Sequence, residues 1–452
     1  MRKRGIIKGS VITILSLLFY AKTGWKALFL MLAVSLIAYI GGLLVALFSE
    51  NKRSIFVIFL SILVFIFIYF EGLPGKHTVG LSYYILMAMG YIIGAVNGNV
   101  KAIKNPIKII SAISFFPLMA EGPIGEADKI SEEIWAVKSS DNPSYVPVRL
   151  RLMPAFYRFF YGLFKKLVIA DRLAETVNYY TSFPLLSWNY LLGLFLYSVE
   201  LIADFTGGID MAIAICNLLN VNVPENFRHP LFATSLSNFW KRWHISLSGW
   251  FQRNVFYPLS VSLSESKLLS GKSRRTVSRV SVYTASIITW SLTGLWHGIS
   301  IYYLFWGLTN AGILLLSYEL RDKYKAFHKR HKFADSRGYN LFMMIRTFII
   351  VMFLRCFDLM AAASAKVETL TSDYRALAIS EIILLIIACL VCVLISACTA
   401  KKKERFTNPY SLVNTLSFPA RLAILFAMVF VIIIFGAYGK DYDAKGFIYG
   451  NF

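Results

Sequence analysis

The chain has 452 residues, of which 57% are hydrophobic and only 16% are charged. Soluble domains carry closer to a quarter charged residues, so this balance excludes an ordinary soluble protein and indicates one that lies in lipid. A net charge of +22 could suggest nucleic-acid binding, but the basic residues cluster at the edges of apolar segments. That position is typical of cytoplasmic loops and of contacts with membrane lipid, and we expect no nucleic-acid partner.

Apolar runs of spanning length follow one another along the chain, with shorter candidates at 6–21 and 107–120. These runs predict an all-α polytopic membrane protein with about nine to twelve transmembrane helices in one integral membrane domain, 1–452. The basic residues Arg2–Arg4 place the N-terminal end in the cytoplasm. The clear runs cover 27–48, 54–71, 79–97, 189–203, 280–296, 299–317, 341–357, 378–397 and 419–437.

The middle third of the chain differs in composition from both ends. Residues 125–180 mix charges with aromatic rings, which predicts interfacial helices whose lysines, Lys165 and Lys166 among them, snorkel to the head groups. Residues 221–262 are too polar to span, and such backbone is tolerated among spans only inside protein or beside a wet cavity. The domain is therefore divided into N-terminal spans (1–124), a core that carries the chemistry (125–320) and C-terminal spans (321–452).

The first polar block of the core runs from Asp204 to Asp210, directly after an apolar run that contains Glu200. The Gly207-Gly208 pair between the two aspartates predicts a helix break, after which the aspartates would cap a short helix. Ionisable groups at membrane depth usually face a cavity, and a cap can also line a site. Asp204 and Asp210 are therefore candidates for substrate binding.

The second polar block contains four aromatic residues between 239 and 250. One aromatic helix face is predicted by four residues at helical spacing, Trp240, Trp243, His244 and Leu247. Cations and indole rings beside a histidine suit a donor that carries phosphate or pantetheine, although a histidine on such a face can also be a packed core residue. The other substrate-binding candidates of this block are Lys241, Arg242 and Ser246.

The third polar block ends an apolar run with Trp296 and His297. His297 lies deeper within an apolar segment than the other histidines, and an imidazole there must be hydrogen-bonded to be tolerated. Imidazole is also the side chain best suited to proton transfer near neutral pH, so His297 is the first catalytic candidate and His244 the second. An inert, hydrogen-bonded His297 is the alternative.

Other chemistries find no support in the sequence. It contains no nucleophile elbow, no zinc-protease motif, no phosphate-binding loop and no dinucleotide fingerprint. Two separated histidines without clustered thiols or carboxylates predict no metal site, and Cys389 and Cys392 lie in an apolar run that indicates packing. What remains is a general base without a protein nucleophile. This suits direct acyl transfer between two bound substrates, with His297 taking the hydroxyl proton and no tightly bound cofactor.

Six motifs between residues 114 and 298 together resemble a known family, the membrane-bound O-acyltransferases. Within that family, the chain is most similar to the bacterial branch of alginate O-acetylases and teichoic-acid D-alanyl transfer proteins. In chain order the motifs are Ser114-Phe-Phe-Pro, Gly162-Leu-Phe-Lys-Lys-Leu-Val-Ile-Ala-Asp171, Asp204-Phe-Thr-Gly-Gly-Ile-Asp, Glu225-Asn-Phe, Phe239-Trp-Lys-Arg-Trp-His-Ile-Ser and Gly294-Leu-Trp-His-Gly.

The resemblance implies a helical bundle with re-entrant or interfacial helices around a central tunnel in the bacterial cytoplasmic membrane. A thioester donor, acetyl-CoA or an acyl carrier protein, would enter from the cytoplasm, and a glycan or polyol hydroxyl from the other side. The resemblance assigns proton transfer to His297 and a supporting role to His244. It also implies a membrane-anchored or extracytoplasmic acyltransferase partner that completes the transfer.

The chain departs from the family pattern at two positions. Arg253-Asn254 stands where the family usually has Arg-Asp, and Asn310, a further substrate-binding candidate, stands where a histidine is common. Transfer of D-alanine toward teichoic acid is the alternative within the same class. A transporter or scaffold is the alternative outside it. That alternative predicts acids deep in several spans and paired halves, whereas the sequence has such acids mainly at Glu200, Asp204 and Asp210 and shows no two-fold repeat.

Overall fold

The computed structural model describes residues 2–71, 78–119, 121–136, 147–365, 379–401, 410, 413 and 415–438. The structure is 83% helical, and the described residues contain no strand. The predicted all-α class is therefore confirmed. One of the basic clusters at the edges of the apolar segments is Lys401–Arg405, and most of it lies outside the described residues.

The contacts between Cα atoms divide the chain into two compact units. Unit 1 comprises Met1–Tyr179, Val199–Glu225 and Tyr374–Phe452, and unit 2 comprises Tyr180–Ser198 and Asn226–Asp373. The helices of the first part of the chain are α1 (Arg2–Thr23), α2 (Trp25–Leu47), α3 (Lys52–Glu71), α4 (Leu81–Val96), α5 (Pro106–Ile113), α6 (Ala127–Trp135), α7 (Val148–Phe164), α8 (Asp171–Thr181) and α9 (Trp188–Leu218). Those that follow are α10 (Leu236–Trp240), α11 (Ile245–Phe251), α12 (Tyr257–Ser264), α13 (Arg274–His297), α14 (Ile301–Glu319), α15 (Arg321–Arg330), α16 (Arg337–Leu354), α17 (Cys356–Ala365), α18 (Ile379–Lys401) and α19 (Phe418–Phe435).

Seven helices of the described part are long and apolar enough to cross a membrane, which makes this a multi-pass membrane protein. Large apolar side chains on them stay exposed, for example Phe65 and Phe426, as expected where lipid is the solvent. The apolar runs at 189–203 and 280–296 belong to α9 and α13, which are helical but are not among the seven. The seven are Gly5–Thr23, Trp25–Leu47, Ser49–Glu71, Ile301–Glu319, Arg337–Ala363, Ile379–Ala397 and Phe418–Phe435, and the apolar segments Leu81–Val96 and Pro106–Leu118 are shorter.

The glycine pair between Asp204 and Asp210 does not break the chain, because α9 continues as a helix from Trp188 to Leu218. The predicted helix caps at both aspartates are therefore wrong. A Cβ added to Gly207 would lie 2.8 Å from the carbonyl oxygen of Gly162 on α7, and one added to Gly162 would lie 2.6 Å from that of Gly207. Both distances are too short for a side chain. The glycine at 207 thus allows two helix backbones to touch.

The predicted aromatic face over 240–247 is also wrong as one continuous helix. Helix α10 ends at Trp240, and α11 begins at Ile245, after His244 has taken a left-handed conformation with φ 45°. The backbone N–H of Ile245 donates to the Asn226 carbonyl at 3.0 Å, which holds this turn against the preceding loop. A left-handed histidine is uncommon and needs such support from its surroundings.

Helices α13 and α14 form a tight antiparallel pair in unit 2, joined by a turn at Gly298 with φ 157°. A Cβ on Gly294 would collide with the Tyr303 carbonyl oxygen, and one on Gly307 with the Trp290 carbonyl oxygen. The two helices can therefore touch backbone to backbone only because both positions lack side chains. This contact fixes the register of the two helices on either side of the turn.

Replacing Gly307 by alanine is expected to separate α13 from α14, because the new Cβ has no space beside the Trp290 carbonyl. We expect a loss of about 1–3 kcal/mol in the free energy of unfolding, measured in detergent. The matched control is Gly312→Ala on the same helix, where a Cβ meets nothing within 4 Å. That control should gain about 0.5–1 kcal/mol from helix propensity. Equal stability of the two variants would contradict the backbone contact.

Candidate active site

His297 is the last residue of α13, and only 7% of its surface is exposed. Its ring lies among three aromatic rings, with centroid distances of 4.9 Å to Trp296, 5.0 Å to Trp306 and 6.1 Å to Tyr303. The glycine contacts between α13 and α14 bring these rings together from both helices. The side chain that sequence analysis ranks first for proton transfer is therefore held in a dry aromatic cage.

His244 lies in the same unit, and its ring centroid is 6.0 Å from that of Trp296. Its Nδ1 faces the side-chain oxygen of Asn226 at 3.3 Å, and the same oxygen accepts from the backbone N–H of Ser246 at 3.0 Å and from its hydroxyl at 2.9 Å. The Ser246 backbone N–H can only donate, so the atom of the Asn226 side-chain amide that it contacts must be the oxygen. Because this oxygen can only accept, the proton of His244 lies on Nδ1.

The electrostatic state of His244 follows from its position. The residue is 1% exposed, and burial lowers the pKa of His244 from 6.5 to about 3. The ring is therefore neutral at the pH of a cell, with Nε2 as its acceptor nitrogen. Such a histidine suits the orientation of a substrate by hydrogen bonding rather than the stabilisation of a negative charge.

Asn310 and Trp240 are joined by a direct contact. The indole N–H of Trp240 donates to the Asn310 side-chain oxygen at 3.0 Å, and the Asn310 amide nitrogen donates to the Trp306 carbonyl at 2.9 Å. The Trp240 ring also packs against Trp290 at 5.0 Å and Trp306 at 5.6 Å. The asparagine at the position where a histidine was expected thus holds an aromatic cluster together.

The remaining candidates of the second block face other neighbours. Trp243 packs between Phe227 at 4.8 Å and Phe239 at 5.6 Å. Lys241 is exposed, while the guanidinium of Arg242 donates to the Asn238 side chain and to the Arg228 carbonyl. Of this block, the structure brings Trp240, His244 and Ser246 together with Trp296, His297 and Asn310 in unit 2.

An ion pair between Arg355 and Asp358 lies in the same unit and was missed by the sequence analysis. The two side chains are buried, 2.9 Å apart, within the candidate span Arg337–Ala363. The Arg355 guanidinium lies 5.8 Å from the Trp306 ring centroid, within cation–π range. Two opposite charges three residues apart at the end of an apolar run were the available signal, because such charges at membrane depth mark functional positions.

Lys165 and Lys166 are buried in unit 1, so the prediction that they snorkel to the head groups is wrong. A π-helical turn, Lys165–Ala170, carries both lysines. Lys165 pairs with Asp210 at 2.6 Å, and Lys166 pairs with Asp204 at 2.6 Å and with Asp171 at 2.9 Å. Each buried lysine charge therefore has an acidic partner on α9 inside the protein, as a buried charge requires.

Arg158 extends this ionic network of unit 1. Its guanidinium donates to Asp210 at 2.8 Å and binds both oxygens of Glu225 at 2.6 Å. The Tyr410 hydroxyl donates to Asp210 at 3.2 Å. Burial alone would raise the pKa of Asp210, but Lys165 and Arg158 outweigh burial and hold that pKa below its usual value. The two aspartates proposed for substrate binding are thus engaged by cations of the protein itself.

Comparison with known proteins shows that the middle of the chain matches one protein family. The model described as MBOAT, membrane-bound O-acyltransferase family, matches residues 106–357, which is more than half of the chain and includes both histidines. A probable alginate O-acetylase of Pseudomonas fluorescens is 30% identical over 232 residues, which cover 51% of this chain and 42% of that protein.

Two further relatives act, by name, on other polymers. The teichoic acid D-alanyltransferase of Bacillus subtilis is 27% identical over 283 residues, 62% of this chain and 67% of that protein. The peptidoglycan O-acetyltransferase of Helicobacter pylori is 31% identical over 221 residues, 48% of this chain and 38% of that protein. The match thus spans less than half the length of both acetylating relatives.

Removing the charge of Lys166 is expected to cost more stability than removing that of Asp204. Lys166→Met leaves two buried carboxylates without their shared cation, for which we expect a loss of about 3–5 kcal/mol in unfolding free energy. Asp204→Asn leaves Lys166 paired with Asp171 and should cost clearly less. The surface control Lys129→Met, at a side chain that is 67% exposed, should change stability by less than about 0.5 kcal/mol. Equal costs at Lys166 and Asp204 would contradict a shared cation.

The protein is expected to lose stability in acid, because His244 is buried in its neutral form. The unfolded chain binds a proton on this histidine below about pH 6.5, while the folded protein resists protonation until about pH 3. The thermal midpoint in detergent should therefore fall as the pH is lowered through this window. His244→Gln should make the fall shallower, whereas His331→Gln, the removal of a half-exposed histidine of the same unit, serves as the matched control. The same slope in wild type and His244→Gln would refute a neutral buried His244.

Proposed function

The chain belongs to the membrane-bound O-acyltransferase family, and we propose that it moves an acyl group from a cytoplasmic thioester to a hydroxyl of a cell-envelope or exported polysaccharide. The observation that carries the proposal is the aromatic cage of unit 2, which holds His297 beside a neutral His244. The relatives named above modify alginate, teichoic acid and peptidoglycan, which are all polymers of the cell surface. Acetyl is the proposed acyl group, because two of these three relatives are acetyltransferases by name.

The proposed reaction is a direct transfer in which His297 acts as the general base. One nitrogen of His297 takes the proton of the acceptor hydroxyl while the oxygen attacks the thioester carbonyl carbon. The tetrahedral intermediate then breaks its C–S bond, and the departing sulfur takes the proton back from His297. The products are an ester and a free thiol, so the ring returns to its starting state. Holding both substrates in one cage supplies the proximity on which direct transfer depends.

His244 has a positioning role in this proposal. Its proton on Nδ1 is directed at Asn226, so its Nε2 acts as an acceptor and suits an N–H or O–H group of a substrate. The pantetheine arm of acetyl-CoA or of an acyl carrier protein provides amide N–H groups of this kind. A neutral ring also avoids a second positive charge next to His297 while that residue gains a proton.

Transfer of D-alanine is the second candidate function. It is favoured by the longer match to the teichoic acid D-alanyltransferase, 67% of that protein against 42% of the alginate O-acetylase. The same cage suits it, because a D-alanyl thioester presents the same carbonyl to the same base. Supplying membranes that contain the protein with labelled acetyl-CoA, an acetylated carrier protein or a D-alanyl carrier protein will distinguish the donors by the label found on envelope glycans.

Replacing His297 by alanine is expected to reduce acyl transfer by at least about 100-fold, the usual contribution of a positioned general base. The measurement is the mass analysis of envelope glycans from cells that produce the variant. Membrane fractionation and the thermal midpoint should show that the variant still inserts and folds. His331→Ala is the matched control, because His331 packs with Phe327 and Phe333 away from the cage. Full acylation by the His297→Ala variant would exclude His297 as the base.

A further inference from the structure

The indole N–H of Trp306 is a buried donor for which the described residues provide no acceptor. The side chain is 1% exposed, so bulk water does not reach the nitrogen. An indole N–H can only donate, and buried tryptophans usually find a partner for it. A buried donor without one is rare in native structures and calls for an explanation, of which a bound substrate is one.

The neighbouring Trp240 provides the comparison. Its indole N–H donates to Asn310 at 3.0 Å, although its ring is in edge contact with that of Trp306 at 5.6 Å. Both rings lie in one cluster of unit 2, and Asn310 links them through the Trp306 carbonyl. Among the described residues, the cluster therefore supplies an acceptor for one indole N–H and none for the other.

Trp306 is also rigidly positioned beside the proposed base. Its ring centroid is 5.0 Å from that of His297, and the adjacent Gly307 touches the Trp290 carbonyl. The Arg355 guanidinium, which is paired with Asp358, lies 5.8 Å from the ring centroid and packs against this part of the cage. A fixed donor in a site from which water is excluded is the arrangement that stabilises a developing negative charge most effectively.

We infer that the Trp306 indole N–H binds the carbonyl oxygen of the acyl thioester and stabilises the oxyanion that forms there. This inference rests on the proposed acyl transfer. When the hydroxyl oxygen bonds to the carbonyl carbon, the π electron pair of the C=O bond moves to the carbonyl oxygen. The C=O bond forms again as the C–S bond breaks. His297 is accepting a proton at that moment, and the His244 N–H is directed at Asn226. Trp306 is then a donor available beside the base.

The first test compares Trp306→Phe with Trp240→Phe in nanodiscs. Trp306→Phe removes a donor that stabilises nothing in the unliganded protein, so the thermal midpoint should stay close to that of wild type. Its kcat for acyl transfer should fall about 100-fold with little change in KM, as when one oxyanion donor is lost. Trp240→Phe removes a hydrogen bond of the fold and should lower the thermal midpoint instead. Transfer by Trp306→Phe at the wild-type rate, or a loss of activity that only follows unfolding, would overturn the inference.

The second test does not depend on turnover. The protein has nine tryptophans, and the indole N–H resonance of Trp306 in ¹⁵N-labelled protein is the one that disappears in Trp306→Phe. The probe is an acetyl-pantetheine analogue in which CH₂ replaces sulfur, which keeps the carbonyl but cannot be cleaved. It should move the Trp306 indole proton downfield, while pantetheine alone should not.

The two failures are distinguishable. An unmoved Trp306 resonance at saturating analogue overturns the assignment of Trp306, even if wild-type protein transfers acyl groups. If wild-type protein transfers no acyl group from any of the three donors, the proposed function fails. The shift of the Trp306 resonance then still decides whether this indole binds a thioester-type carbonyl.

Discussion

Close contact between helix backbones, made possible by glycine, is the constraint on which both described sites depend. Gly162 and Gly207 bring α7 against α9 in unit 1, while Gly294 and Gly307 bring α13 against α14 in unit 2. Lipid gives helices no hydrophobic reason to associate, so close packing and internal polar contacts must supply the attraction. In each unit the glycines permit the approach, and the polar or aromatic side chains next to them make use of it.

In unit 1, the approach brings charges of opposite sign within reach of one another. Lys165 and Lys166 follow Gly162 by one turn, and Asp204 and Asp210 flank Gly207, so the helix crossing itself aligns the cations with the acids. Each of these charges would be expensive to bury alone, and the network is tolerated because it is paired throughout. This explains why Asp204 and Asp210 are needed for the architecture, with their charges balanced inside the protein.

The sequence was sufficient for features that depend on local pattern. Composition predicted the membrane class, and hydropathy placed the apolar helices. The selection of His297 as the base, made from residue chemistry and motif order, stays a prediction. Features that depend on distant partners could not be predicted. Spacing does not reveal that Arg158 meets Asp210, 52 residues away, or that Gly207 stays helical because Gly162 lies against it. The left-handed turn at His244 was hidden for the same reason, since the loop at Asn226 holds it.

Within unit 2, hydrogen-bond satisfaction separates groups that hold the fold from groups that can serve a substrate. Trp240, Asn310 and Ser246 direct their polar atoms at other parts of the protein, and their loss should first be felt as a loss of stability. Trp306 is a buried tryptophan that packs against Trp240, yet the described residues give its N–H no acceptor. In the proposed reaction this N–H is the donor for the thioester carbonyl, whose oxygen gains its negative charge only when both substrates are bound.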